Sequence, residues 1–208
     1  MNEPLTLASV RHRVVNDLTL VHAMLGMAMR KTADSDAVRL LRGSRNRVRV
    51  ISVFHSVAWR DEGDGPAGPE TNAYLGEIVR EARRARSTGE RVRVELETGD
   101  PKLGLTEVGA VGLVVNELVG NALDHAFPGE RSGLVRVSLG SGTNDGSVVL
   151  RVADDGVGLP PESQRESAGL GLALVRLLAE QLSGELTLSS SEHRGTDACL
   201  HFSSTRET

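Results

Sequence analysis

The chain has 208 residues, 39% of them hydrophobic and 25% charged, with a formal net charge of −4, an ordinary balance for a globular protein. Aromatic residues make up only 2%, which argues against the stacking platforms of nucleic-acid binders and leaves Leu, Val and Ala to build the core. The single cysteine, Cys199, excludes an internal disulfide, fits a reducing compartment and, lying in a strand-like stretch, is expected in the core, while the longest apolar run, residues 18–29, is too short to cross a membrane and contains His22. No basic-then-apolar leader opens the sequence, so cytoplasmic residence is expected, with no membrane insertion and no nucleic-acid partner.

Charge is unevenly placed. Residues 1–60 hold ten Arg or Lys against four Asp or Glu, an excess of six positive charges, and the remainder carries 14 basic and 24 acidic residues. A basic segment followed by an acidic one predicts two functional parts. Within residues 6–32, Leu7, Val14, Leu18, Val21, Leu25 and Ala28 recur by threes and fours, apart from one wider gap at Arg11. That rhythm predicts a helix with a narrow apolar seam. Thr32-Ala33-Asp34-Ser35 breaks it, and Ser35 or Asp36 is expected to cap a second helix reaching about Trp59. Its seam reads Leu41, Ser44, Val48, Ile51, His55 and Ala58. A lone hairpin cannot bury such a seam on all sides, so a four-helix bundle formed by a homodimer is expected. His12 falls two residues before Val14, beside the seam, in the run His12-Arg13-Val14-Val15-Asn16-Asp17-Leu18.

Residues 61–71 are polar and rich in Gly and Pro, which predicts a linker. A charged helix is expected over 72–87 and a strand over 91–97, where Val92, Val94 and Leu96 share one face. A helix beginning near Thr106 carries Val108, Val111, Val115, Leu118 and Ala122 on a buried stripe and ends in Asn116-Glu117-Leu118-Val119-Gly120-Asn121-Ala122-Leu123-Asp124-His125. Glu117 and Asn121 are four apart and stack on one face, where an acid and an amide supply oxygen ligands for a hard cation such as Mg²⁺. Strands over 134–139 and 147–153 flank the turn signal Asn144-Asp145-Gly146. Asp154-Asp155-Gly156-Val157-Gly158 follows directly, its glycines allowing a ligand close to the backbone and its first acid suited to an adenine amino group. Gly169-Leu170-Gly171 then opens a helix to about Leu182, as a phosphate-cradling loop does. Strands over 186–189 and 198–202 complete a mixed sheet, giving an α+β sandwich. Any one glycine loop is explained by a turn. The three boxes in this order are a joint signal.

These boxes resemble the nucleotide-binding domain of histidine kinases, within the larger group of gyrase-type ATPases, and His12, Arg13 and Asn16 match the phosphoacceptor box of the HRXXN group, which is related to the HWE group. The resemblance covers about residues 8–203. It implies an N-terminal dimerisation and phosphotransfer hairpin (1–60), a linker (61–71) and an ATP-binding domain (72–208). It implies ATP and Mg²⁺ as cofactors. His12 is the implied phosphoacceptor, with Arg13 and Asn16 beside it. Asn116, Asn121, His125, Asp154, Gly156, Gly158, Gly169, Gly171 and Thr196 are the implied nucleotide-binding residues. Asn121 and Glu117 are the implied Mg²⁺ ligands, and Glu117 also matches the general base of the ATPase relatives. Residues 157–168 are the implied lid. The partners implied are a second copy, a response-regulator receiver domain whose aspartate takes the phosphoryl group, and a separate sensory protein. Three positions depart from the family's usual residues: Val15, Asp17 and Asp124, the last of which is often lysine. The tryptophan–acid signature of the HWE group is absent at Leu150-Arg151-Val152. Arg13 stands where many other histidine kinases have an acid. The proton acceptor for His12 is therefore open, with Glu117 a better candidate than Asp17, which lies about 140° around the helix from His12. The rival readings are a histidine phosphotransfer protein of the same fold without productive ATP use, and a partner-binding regulator resembling an anti-sigma serine kinase.

Overall fold

The computed structural model describes residues 7–57, 71–86, 91–99, 101–144, 146–159, 169–190 and 195–204. It divides into two compact units, residues 1–69 and 70–208. Most of the expected linker, all but the first three residues of the expected lid, and Asp145 lie outside the described residues.

The first unit is a helical hairpin of α1 (Leu7–Lys31) and α2 (Ser35–Val57). The cap of α2 is Asp34, rather than Ser35 or Asp36: its Oδ1 accepts from the N–H groups of Asp36 at 2.8 Å and Ala37 at 3.2 Å. The reason is geometric, since the residue just before a helix is the one whose short side chain reaches the second and third orphan amides. Arg45 of α2 passes across Gly26 of α1, where a β-carbon would lie 3.4 Å from the guanidinium. Val50 and Val53 are buried, and Val14, Leu18, Leu25 and Ala28 are half-buried. Val10, Leu20, Val21, Met24, Met27 and Leu40 stay exposed, so one hairpin covers only part of its apolar surface.

The second unit is a five-stranded mixed sheet with three helices on one face. Its elements are α3 (Thr71–Arg84), β1 (Val92–Thr98), α4 (Leu105–Asn121), β2 (Gly133–Ser141), β3 (Ser147–Asp154), α5 (Leu170–Gln181), β4 (Glu185–Ser190) and β5 (Thr196–Ser203). The strand order is β1-β2-β3-β5-β4, with β1 parallel to β2 and all other pairs antiparallel. The register stacks Val137, Val152, Ala198 and Leu188 in one row and Leu139, Leu150, Leu200 and Leu186 in the next. This face meets the helices. The other face carries Arg136, Arg151, Asp197 and His201, with Arg151 clasping Asp197 at 2.8 and 2.5 Å. Cys199, expected in the core, belongs to this outer face: strand alternation turns it away from Ala198 and Leu200 and places its Sγ 3.2 Å from His201 Nε2. Burial and the neighbouring Asp197 raise its thiol pKa. No described helix is long and apolar enough to cross a membrane.

α4 packs between α3 and α5 and is buried almost all round, with Val111, Val114, Val115 and Val119 fully enclosed. Each such valine contributes roughly 1.5 kcal/mol or more by burial. Glu107, buried within the first turn, accepts from the Gly104 N–H at 2.7 Å and from Ser204 Oγ at 3.1 Å. After Asn121 the chain widens into a π-helical segment, Ala122–Ala126.

Tyr74 of α3 is fully enclosed, and its ring packs against the bare backbone of Gly112. A β-carbon there would collide with the phenol oxygen and sit 2.5 Å from Cε1. Gly112→Ala is therefore expected to destabilise the chain by about 1–3 kcal/mol through overpacking, outweighing the roughly 1 kcal/mol that alanine adds in helix propensity. Equilibrium denaturant unfolding measures this, and unchanged or raised stability would contradict the packing described.

Candidate functional site

The site in the second unit grows out of the end of α4. Asn116 and Glu117 are both buried, and the Asn116 amide donates to Glu117 Oε1 at 2.9 Å, which orients the carboxylate. Asn121, one turn on, is half-buried. The backbone that opens α5 passes directly over this pair. A β-carbon placed at Gly171 would lie 2.7 Å from Glu117 Oε2 and 3.7 Å from Asn121 Oδ1. Two side-chain oxygens from successive turns of α4 therefore meet the same point of the glycine loop. Gly169, the residue before α5, has open space around it.

The second wall is the segment after β3. Asp154 Oδ1 accepts from the N–H groups of Gly156 at 2.9 Å and Thr196 at 3.2 Å. Among the described residues none donates to Oδ2. Gly195, at φ 76°, runs so close to Asp154 that a β-carbon would strike its carbonyl, so glycine is required there twice over. Thr196 contributes its backbone amide to this arrangement. Gly156 packs against Ala126, and the Val157 N–H donates to the Ala126 carbonyl at 3.0 Å. The loop is thus tied to the end of the π-helical segment. Gly158 takes φ 82°, the left-handed region that glycine favours.

His125 lies on that π-helical segment and is exposed. His12, Arg13 and Asn16 are all exposed on α1 in the first unit, His12 and Asn16 one turn apart. Among the described residues no group of three or more His, Cys, Asp and Glu gathers as a metal site. The paired oxygens of Glu117 and Asn121 nonetheless suit Mg²⁺, which takes one or two protein oxygens and completes its octahedron with water and phosphate.

Several contributors carry no motif. Arg131 Nη2 donates to the carbonyls of Asp155 at 2.8 Å and Gly156 at 3.3 Å, and Asp155 Oδ1 accepts from the Leu134 N–H at 2.7 Å. Ser190 Oγ accepts from the Leu159 N–H at 3.0 Å and donates to the Gly195 carbonyl at 2.9 Å, joining the loop to the β4–β5 edge. Only their positions beside turns could have singled these residues out.

Comparison with known proteins bears on this geometry. Residues 106–206 match the family described as histidine kinase-, DNA gyrase B- and HSP90-like ATPase, and residues 9–85 match the family described as histidine kinase. The sensor histidine kinase PdtaS of Mycobacterium tuberculosis is 31% identical over 201 residues, covering 94% of this chain and 38% of that protein. The blue-light-activated histidine kinase 2 of Erythrobacter litoralis is 30% identical over 191 residues, covering 88% of this chain and 53% of that protein. The chain thus spans about two fifths to one half of the length of these relatives. Among solved structures, the Erythrobacter litoralis EL346 blue-light-activated histidine kinase superposes with a TM-score of 0.71 at 22% identity, over 98% of this chain and 62% of that one. That kinase's separate histidine kinase domain gives 0.64, over 88% of this chain and 95% of that one. The two matched regions together take in most of the sequence, and both lead to one conclusion: the chain belongs to the histidine kinase family.

Proposed function

We propose that the chain is an ATP-dependent protein histidine kinase that phosphorylates itself on His12 and passes the phosphoryl group to an aspartate of a response-regulator receiver domain. The observation that carries the ATP half of this reading is the meeting of Glu117 Oε2 and Asn121 Oδ1 at Gly171. It joins a cation-binding pair to a glycine loop at a helix start, the combination a nucleotide phosphate chain requires. Asp154 is the adenine acceptor in this reading, its Oδ1 being held by the Gly156 and Thr196 amides. Gly156, Gly158, Gly169, Gly171, Thr196, Asn116 and His125 complete the pocket. A solved relative, ShkA, is described in complex with the ATP analogue AMPPNP and shares the fold at a TM-score of 0.52 over 97% of this chain.

Mg²⁺, when bound through Asn121 and Glu117, offsets the negative charge of the phosphate oxygens. The neutral His12 imidazole attacks in line. A nitrogen–phosphorus bond forms while the bond from the γ-phosphorus to its bridging oxygen breaks, releasing ADP. The imidazole proton passes to a base, for which Glu117 is the candidate. Asn16, one turn from His12, is placed to orient a water for dephosphorylation. Transfer to the receiver forms an oxygen–phosphorus bond on its aspartate as the bond to His12 breaks. A homodimer through residues 1–60 is supported by the apolar residues that one hairpin leaves exposed. A separate sensory protein would supply the signal. The alternative, a phosphotransfer protein without productive ATP use, is weakened by the intact Asn121, Asp154 and glycine boxes.

His12→Ala is expected to abolish acid-labile, alkali-stable label from γ-labelled ATP while ATP binding persists. Label at the parent level on that variant would sink the assignment. Asp154→Ala and Asn121→Ala should each abolish labelling, the first by losing adenine affinity and the second by losing Mg²⁺-dependent chemistry. If both variants label normally, the nucleotide site is elsewhere. The basic hairpin, with Arg11, Arg13, Arg39, Arg42, Arg45, Arg47 and Arg49, complements the carboxylates of a receiver active site. Transfer should therefore slow as ionic strength rises, because at 0.1 M the Debye length is about 10 Å and association is steered by charge. A transfer assay across a salt series tests this, and a rate indifferent to salt removes the docking argument.

A further inference from the structure

Beside Asn121 the structure holds an ion pair that no motif announces. Arg86, two residues beyond α3, donates through Nε to Asp124 Oδ2 at 2.8 Å and through Nη1 to the Ala82 carbonyl at 3.2 Å. Its guanidinium lies across α4 at Gly120. A β-carbon there would collide with Nη2 and sit 2.9 Å from Cζ, so only a glycine lets the cation approach the helix. The Arg86 side chain is 12% exposed and that of Asp124 43%. The cation is sheltered while its carboxylate reaches solvent.

The location gives the pair its meaning. Gly120 directly precedes Asn121, and Asp124 lies three residues after it, in the π-helical segment, the kind of local irregularity often found at functional sites. If Asn121 marks the phosphate end of the nucleotide, Asp124 stands about one turn away and adds negative charge where a triphosphate must enter. The pair joins the end of α3 to the turn after α4, and it also sets the charge at that turn. Its electrostatic effect on a polyanion is direct, because a guanidinium bonded to the carboxylate cancels the repulsion at source.

We propose that Arg86 is a positioning residue of the nucleotide site: held across Gly120, it neutralises Asp124 and so makes the end of α4 acceptable to a triphosphate. This rests on the reading of Asn121 given above, and the experiment separates the two. Binding of Mg-ATP and of unphosphorylated adenosine to the full chain is measured by calorimetry for the parent, Arg86→Ala, Asp124→Asn and the double variant. The expected result for Arg86→Ala is a dissociation constant for Mg-ATP raised roughly five- to tenfold at low salt, with adenosine unaffected. The loss should shrink as ionic strength rises, since its origin is charge. The double variant should return to the parental value, and Asp124→Asn alone should bind Mg-ATP at least as tightly as the parent. Asp124→Asn leaves Arg86 in place, so the proposal stays testable even if Arg86→Ala does not fold. Parental ATP affinity in Arg86→Ala, an equal loss for ATP and adenosine, a loss that persists in the double variant, or weaker ATP binding in Asp124→Asn would each overturn it. Failure of the parent to bind Mg-ATP would instead overturn the nucleotide-site reading itself.

Discussion

The bond from the Val157 N–H to the Ala126 carbonyl, with Gly156 pressed against Ala126, is the contact on which the rest of the site depends. It ties the segment that carries Asp154 to the end of the helix that carries Glu117 and Asn121. Neither wall has meaning alone: an acid after a strand is a turn, and an acid and an amide on a helix are a polar edge. Fastened at Ala126, the two segments are held together, and the start of α5 passes over Glu117 and Asn121 at Gly171. The widening of the helix into a π turn belongs to the same constraint, since the π-helical segment that follows α4 ends where the carbonyl of Ala126 meets the loop.

α4 is asked for two things at once. Its valines form the centre of the core, and its last turns carry the polar groups of the site. The side chains are divided by position: Val111, Val114, Val115 and Val119 face the sheet and flanking helices, while Glu117 and Asn121 meet α5. Burial of Glu117 and Asn116 is tolerated because each has a partner in the other. An enclosed helix holds these polar oxygens more firmly than a surface loop would, and that firmness comes from the same packing that stabilises the fold.

Much of this was legible in the sequence, and what was not has physical reasons. Period-3.6 and period-2 patterns located the described helices and strands to within a few residues, because apolar residues recur on the faces that pack inward. The glycine boxes were legible because close backbone approach admits no side chain, as Gly156 and Gly171 each show. The cap at Asp34 was misjudged by one position because three polar residues compete there and only geometry chooses. Cys199 was misplaced because a small apolar residue within a strand gives no hint of which face it takes. Arg131 and the pairing of Arg86 with Asp124 were invisible, since 24 and 38 residues separate the partners and no periodicity links them.

The parallel pairing of β1 with β2 has a consequence for how the second unit folds. Val92 lies opposite Gly133, and all of α4 with its π turn intervenes in the chain. β2 and β3, by contrast, are joined by a tight connection with Gly146 at φ 71° and can pair early from local contacts. β1 gains its neighbour only after the long crossover has been closed and its entropy lost. The turn that bears Glu117 and Asn121 sits within that crossover. The seating of that turn against the sheet therefore follows closure of the crossover, and an early species with only the β2–β3 ribbon formed would not yet hold Glu117 and Asn121 in place.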